Sequence, residues 1–195
     1  MRQFASSGFK IWNLGTEAKV LYTIFALFAL AAYLVSVLYY DDLMGLHVRG
    51  ARLYYAGGAA ESSAPGPMRA GGPSIDLPEE AAHPMREPIS YRHLLEVTHF
   101  HLFTVPVFLL IVAHLFMLTG MGPLARLSWI LAAGVSALLH VGAPWLVRYG
   151  GGAAALLMPL SGIAMLGSLG FMTAYVVYAM WAGRPEPLRS DSSPP

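Results

Sequence analysis

The stretch VTHFHLFTVPVFLLIVAHLFMLT, residues 97–119, decides the fold of this chain. It contains no charged residue, and charge is absent from the whole interval between Glu96 and Arg126. The hydrocarbon core of a bilayer is about 30 Å thick, and a helix that rises 1.5 Å per residue crosses it in roughly 20 residues. The stretch therefore predicts a membrane-spanning helix. Its histidines become candidates for function, because ionisable groups are costly inside a bilayer.

Three further stretches without charge lie at 20–40, 127–147 and 149–183. Their apolar runs are continuous and not alternating, which favours helices over a membrane barrel. We predict four transmembrane helices, at about 18–40, 95–119, 127–147 and 154–181. The connections between the last three are short, so these helices should be antiparallel neighbours.

The predicted fold is an all-α integral membrane protein, with four transmembrane helices in an antiparallel bundle and one long extramembrane loop. The transmembrane domain covers 18–182, after an N-terminal segment at 1–17 and before a disordered tail at 183–195. Loop 41–92 joins the first two helices, and its Gly-, Ala-, Pro- and Ser-rich part at 56–88 predicts irregular structure. The first span is too long for a signal-peptide core, so we expect it to remain as an anchor.

The composition excludes several classes of protein. Of the 195 residues, 56% are apolar and 12% are charged, whereas a soluble domain carries about 25% charged residues. The net charge of +1 offers no footprint for nucleic acid. Cysteine is absent, which excludes disulfides, iron–sulfur clusters and covalently attached haem. Phosphate-binding and nucleophile-elbow motifs are also missing, so nucleotide or hydrolase chemistry has no support.

The orientation follows from the positive charges. We call side N the membrane side with the start of the first helix and the loop at 120–126, and side L the side with loop 41–92. Each side carries six Lys or Arg residues, but long loops count for less, and both lysines precede the first helix. We therefore expect a bacterial inner-membrane protein whose two termini lie on the same, cytoplasmic side.

Histidines of the predicted helices gather toward side L. By helical rise, His101 and His140 fall at similar depth on adjacent antiparallel helices. Neutral imidazole is the common ligand of haem iron, copper and zinc, so His101 with His140 is the preferred pair for haem iron or another metal, and His99 with His140 is second. The candidate cofactor ligands are His99, His101, His114 and His140; the candidate metal ligands are His101 and His140; the candidate proton relay is Glu96 and His93.

His114 lies near side N, apart from the other candidates. It either ligates a second haem with Met172 or Met180, or has no ligand role. A simpler interpretation also holds for the deep histidines, because a helix that contains Pro106 or Pro144 frees backbone carbonyls that an imidazole can pair with. Five aromatic residues are expected in an interfacial belt, namely Tyr39, Tyr40, Trp145, Tyr149 and Trp181.

Three families offer partial resemblances. The placement of His99, His101, His114 and His140 resembles that in four-helix membrane cytochromes b, which implies haem binding and electron transfer between quinones and partner subunits. The run Arg92-His93-Leu94 is similar to one in succinate dehydrogenase membrane anchors. The thirteen-residue spacing of His101 and His114 is similar to that in the C subunit of copper membrane monooxygenases, where an Asp stands at the position of Val97. None covers the chain, so the sequence alone assigns no family.

The sequence thus predicts a membrane b-type haem electron-transfer subunit that is not an enzyme by itself. It would work within a larger respiratory or photosynthetic complex, with quinone as a candidate cofactor and other membrane or redox subunits as partners. One alternative is a cofactor-free structural or accessory subunit of a membrane complex. The second alternative is a membrane protein with a copper or zinc ion bound by His and Glu.

Overall fold

The computed structural model describes residues 9–59 and 85–183. After a 3-10 turn at Ile11–Asn13, the helices are α1 (Thr16–Met44), α2 (Val48–Ala56), α3 (Tyr91–Met117), α4 (Pro123–Gly150) and α5 (Leu157–Ala182). Residues Gly58–Ala59 (β1) and Met85–Arg86 (β2) form a short antiparallel pair. Most of the predicted loop, the segment 1–8 and the tail 184–195 lie outside the described residues.

The predicted fold class is confirmed. Within the described ranges, four helices are long and apolar enough to cross a membrane, namely α1, α3, α4 and α5 with its preceding 3-10 turn. Short connections at 118–122 and 151–156 reverse the chain between α3, α4 and α5, which makes these helices antiparallel. The protein is therefore an integral membrane protein in contact with the lipid bilayer.

Local sequence signals set the helix ends. Ser90 caps α3, where its Oγ accepts a hydrogen bond from the backbone N–H of His93 (3.2 Å). Pro123 begins α4, a position that needs no backbone donor. Gly45 ends α1 with φ +69°, a conformation that favours glycine. Helices α1 and α4 extend past the predicted spans at both ends, whereas α3 ends two residues before the predicted 119 and α5 begins three residues after the predicted 154.

The side-N half of the bundle is closed by large side chains. We call this packed region the side-N core; its buried members are Ile11, Val112, Ala113, Leu115, Phe116, Ala133, Leu169, Met172, Val176, Ala179 and Met180. Rings of Phe25 and Phe108 meet at 5.6 Å between α1 and α3. Ile11 is fully buried and its N–H donates to the Leu118 carbonyl (3.0 Å), so the N-terminal turn seals this end.

A second buried cluster lies at side L and includes the short helix α2. Ala51 and Tyr55 of α2 pack with Leu94, Ala143 and Val147. Gly50 allows the close turn from α1 into α2, because a Cβ at this position would overlap the carbonyl oxygen of Met44. Helix α2 was not predicted, and it forms a cap over the side-L end of the bundle.

Candidate functional site

A cavity of about 530 Å³ lies between the side-N core and α2. Its volume falls within the range of roughly 300–1,000 Å³ typical of small-molecule and cofactor sites. All four membrane helices and α2 contribute to the wall, which is mostly apolar. The polar or ionisable residues of the wall are Ser36, Tyr39, Tyr40, Tyr54, Tyr55, His93, Thr98, His101 and His140.

His101 and His140 both line this cavity. His101 lies ten residues after the start of α3, and His140 lies ten residues before the end of α4. Each imidazole is therefore about 15 Å from the side-L end of its helix. The two preferred histidines thus occupy one cavity at one depth, as their spacing in the sequence predicted.

The hydrogen bond of His101 fixes which ring nitrogen is free. His101 Nδ1 lies 2.7 Å from the carbonyl oxygen of Val97. A carbonyl oxygen accepts only, so Nδ1 carries the proton and donates it. The lone pair of His101 then resides on Nε2, the arrangement found in metal-ligating histidines whose other nitrogen donates to a backbone carbonyl.

His140 forms its hydrogen bond with Ser161. The Ser161 Oγ donates its single proton to the Leu157 carbonyl oxygen, so it can only accept from His140 Nδ1, 3.1 Å away. This contact with Ser161 engages the Nδ1 of His140. Gly162 makes room for this ring, since a Cβ there would lie 3.3 Å from His140 Cε1.

The side-L wall of the cavity contains several tyrosine side chains. Tyr55 of α2 is buried, and burial raises the pKa of its hydroxyl, with the neighbouring phenols Tyr54, Tyr40 and Tyr39 adding to the effect. Tyr55 therefore stays a neutral hydroxyl at physiological pH. The hydroxyl of Tyr40 is buried and has no hydrogen-bond partner among the described residues. Tyr40, expected in the interfacial belt, instead turns its polar end into the protein.

Other aromatic residues of the predicted belt lie near the helix ends. On side L, Trp145 stacks on Tyr149 (6.1 Å) and its Nε1 donates to Thr98 Oγ1 (2.8 Å). On side N, Trp181 Nε1 donates to Thr23 Oγ1 (3.0 Å). The ammonium of Lys19 lies 5.6 Å from the Trp181 ring centre. These contacts tie the start of α1 to the end of α5, as expected for two helix ends on the same membrane side.

The other predicted site residues are not brought to the imidazole pair. His99 is exposed on the outer face of α3, with its ring against Phe103 (5.0 Å). His114 is also exposed, whereas Met172 and Met180 are fully buried in the side-N core. The pairs of His99 with His140, and of His114 with either methionine, are therefore not assembled. Residues 99 and 101 point about 200° apart on a helix, so only one of them can face the cavity.

His93 and Glu96 form a surface pair at the cavity mouth. His93 Nδ1 lies 3.8 Å from Glu96 Oε2, and the two side chains are 52% and 61% exposed. His93 lines the cavity, whereas Glu96 is not one of its lining residues. Throughout residues 9–59 and 85–183, no three His, Asp or Glu side chains come together as a metal site. The arrangement offers two imidazoles, and not a cluster of His and Glu ligands.

Sequence reasoning missed Ser161 and the whole of α2. Only a weak feature of the sequence pointed to Ser161: it precedes the small residue Gly162, on the face of α5 toward α4. Helix α2 had a clearer feature in the sequence, an amphipathic pattern. Ala51 and Tyr55 are four residues apart, and Arg49 and Arg52 lie on the exposed side of the helix.

A comparison with known protein families found a transmembrane helical domain, in agreement with the observed architecture. A sequence profile for a transmembrane helical domain matches residues 45–187, well over half of the chain. The chain belongs to this family, Aq_1264_TM. The matched part of the Aq_1264_TM domain contains α2, α3, α4 and α5, and with them both His101 and His140, whereas α1 precedes it. No curated protein and no solved structure matches the chain.

Proposed function

We propose that this protein is a membrane electron-transfer subunit that holds one b-type haem between His101 and His140. The single observation that carries the proposal is the pair of imidazoles in one cavity, each with its Nδ1 engaged in a hydrogen bond. A b-type haem needs axial histidines from facing helices, an apolar slot and no cysteine. When bound, the haem supplies an iron that takes up and returns one electron at a time.

The residues around the two imidazoles suit this role. The Val97 carbonyl and the Ser161 hydroxyl orient the rings and raise their basicity as ligands. Val97, Val141 and Leu166 belong to the apolar wall, which excludes water and fits a flat hydrophobic ring. On the side-N side of the cavity, the side-N core closes the bundle.

The proposal includes partners on side L. An electron-transfer subunit needs a donor and an acceptor, and the imidazoles lie about 15 Å from the side-L helix ends. A redox subunit of a larger respiratory or photosynthetic complex docked on side L would be within reach, and a membrane quinone is the candidate small-molecule partner. His93 and Glu96, 3.8 Å apart at the cavity mouth, are the candidate groups for proton exchange with such a quinone.

Optical spectroscopy tests the proposal. We expect the protein purified from a haem-replete host to show a reduced-minus-oxidised α-band and a pyridine hemochrome. His101→Ala and His140→Ala should each abolish the low-spin spectrum. His99→Ala is the matched control, two residues away on the same helix and exposed, and it should keep the full haem content. A colourless wild-type protein would leave a cofactor-free structural subunit, whereas a haem spectrum unchanged in both variants would show that other residues hold the haem and would overturn the proposed ligand pair.

Orientation in a bacterial inner membrane, with side N cytoplasmic, is a separate part of the proposal. The chain contains no cysteine, so a single introduced cysteine reports its own accessibility. In spheroplasts, an impermeant maleimide should label Asp42→Cys at side L and leave Gly122→Cys at side N unlabelled. The opposite labelling pattern would reverse the orientation and leave the haem proposal intact.

A further inference from the structure

The outer face of α3 carries a stripe of side chains that the other described helices leave exposed. We call it the outer stripe; its members recur at alternating intervals of three and four residues and are Phe100, Phe103, Val107, Leu110, His114 and Met117. The five apolar members are 46–68% exposed. Helix α3 is continuous through Pro106 and packs against α4 and α5 through its other face. The outer stripe therefore has the spacing of the a and d positions of a coiled coil.

His99 adds a polar group at one edge of the outer stripe. It lies about one turn deeper in the membrane than Glu96, the last charged residue before the span, and its ring packs against Phe103 (5.0 Å), a further turn down. The imidazole makes no hydrogen bond to any residue that the structure describes. An unpaired polar group in hydrocarbon is costly, so lipid is a poor cover for this edge of α3.

Thr104 supplies an acceptor at the other edge of the outer stripe. Its Oγ1 donates its proton to the Phe100 carbonyl oxygen (2.8 Å), so the oxygen keeps its lone pairs for a donor from outside. With Phe100 and Val107 at a positions, His99 stands at g and Thr104 at e, five residues later. In a parallel pair of helices, residues at g of one helix meet residues at e of the other. A donor at g and an acceptor at e of one helix therefore fit a second copy of that helix.

We infer that two copies of this protein pair in the membrane through the outer stripe of α3, with His99 of each copy hydrogen-bonded to Thr104 of the other. Copies that insert in the same orientation are related by a twofold axis along the membrane normal, which makes their α3 helices parallel. This symmetry forms the hydrogen bond twice. Because His99, Thr104 and the outer stripe do not line the cavity, the inference is independent of the proposed haem.

Disulfide cross-linking in native membranes tests the pairing, because the chain contains no cysteine of its own. Leu110→Cys should form a covalent dimer on oxidation with copper phenanthroline, since facing d residues lie within the reach of a disulfide. Leu102→Cys is the control on the same helix, 54% exposed but outside the outer stripe. Leu131→Cys is the control at similar depth on α4, where the side chain is 55% exposed. Leu110→Cys should give several-fold more dimer than either control.

The polar contact is tested by measuring association in lipid vesicles, from the energy transfer between copies labelled at Gly122→Cys as the lipid content rises. His99→Leu and Thr104→Val should each lower the association constant about five- to tenfold, because each removes both symmetric interhelical hydrogen bonds. The double variant should lose no more than either single variant, since the same two bonds are removed.

The outcomes separate this inference from the proposed function. Equal cross-linking of Leu110→Cys and Leu131→Cys, or none of Leu110→Cys, would overturn the pairing and leave the outer stripe to lipid or to a helix of another subunit. Selective cross-linking with unchanged association of His99→Leu would overturn the contact between His99 and Thr104. A haem-free protein that still cross-links selectively would overturn the proposed function alone.

Discussion

The two halves of this bundle are formed by the same four helices but differ in packing, because the side-N half is closed and the side-L half contains a cavity. In the side-N half, Phe116 and Met172 are fully buried, and aromatic rings fill the space between α1 and α3. In the side-L half, α3, α4 and α5 contribute His101, His140 and Gly162 to an open cavity. Membrane helices associate through close packing, since lipid is as apolar as their side chains. The comparison teaches that one half holds the helices together, so that the other half can contain an open cavity.

The largest expected effect comes from emptying the closed half. Phe116→Ala should lower the free energy of unfolding by about 3 kcal/mol or more, because the side chain is fully buried and leaves a void. Thermal unfolding in detergent measures the loss. The matched control is Phe103→Ala on the same helix, whose ring is 66% exposed and should cost far less. Equal losses from the two variants would contradict the assignment of the side-N core as the stabilising half.

The next prediction concerns the cap over the open half. Gly50→Ala should destabilise the protein by about 1–3 kcal/mol, because the added methyl group overlaps the Met44 carbonyl and must push α2 from its place. Hydrogen exchange should rise in α2 before it rises in α5. Gly142→Ala in α4 is the control, since its Cβ would meet nothing within 4 Å and a helical Ala is favoured over Gly. A neutral Gly50→Ala would argue against tight seating of α2.

A smaller effect is expected from the bond that joins α3 to α4 beside the cavity. Trp145→Phe removes the donor to Thr98 Oγ1 and should cost about 0.6–1 kcal/mol, the usual size for an interhelical hydrogen bond in a membrane. A double-mutant cycle with Thr98→Val isolates the coupling. Additive losses would show that the bond contributes nothing to holding the two helices.

The smallest effect on stability is expected from a substitution of Gly162, which should act selectively on the proposed haem site. Gly162→Ala places a methyl group 3.3 Å from His140 Cε1, which should displace the imidazole and raise the Kd for haem several-fold. Stability should change by less than about 1 kcal/mol, because the Ala side chain also favours the helix. Gly167→Ala, with open space around its Cβ, should leave haem binding at the wild-type value. Unchanged haem binding in Gly162→Ala would mean that His140 is not held where the structure has it.

Much of this comparison could be predicted from the sequence. Charged residues bound the four spans, and helical rise places His101 and His140 at one depth. Angular spacing also shows that His99 and His101 cannot share a partner, but it leaves open which one faces inward. That choice depends on the contacts of α3 with α4 and α5, which no single helix encodes.

The parts that could not be predicted depend on tertiary contacts of small or short features. Helix α2 has only nine residues and carries two arginines, so it resembles a loop until Ala51 and Tyr55 find their buried partners. The hydrogen bond of Ser161 to His140 joins residues 21 positions apart. The sequence predicts Tyr40 as one more interfacial aromatic residue, and only the packing around it shows that its hydroxyl is enclosed.

The most direct test is an experimental structure of the protein purified from membranes without added cofactor. We predict planar density between the imidazoles of His101 and His140. Rings turned toward lipid, or a cavity filled only by acyl chains between two unligated imidazoles, would contradict the account.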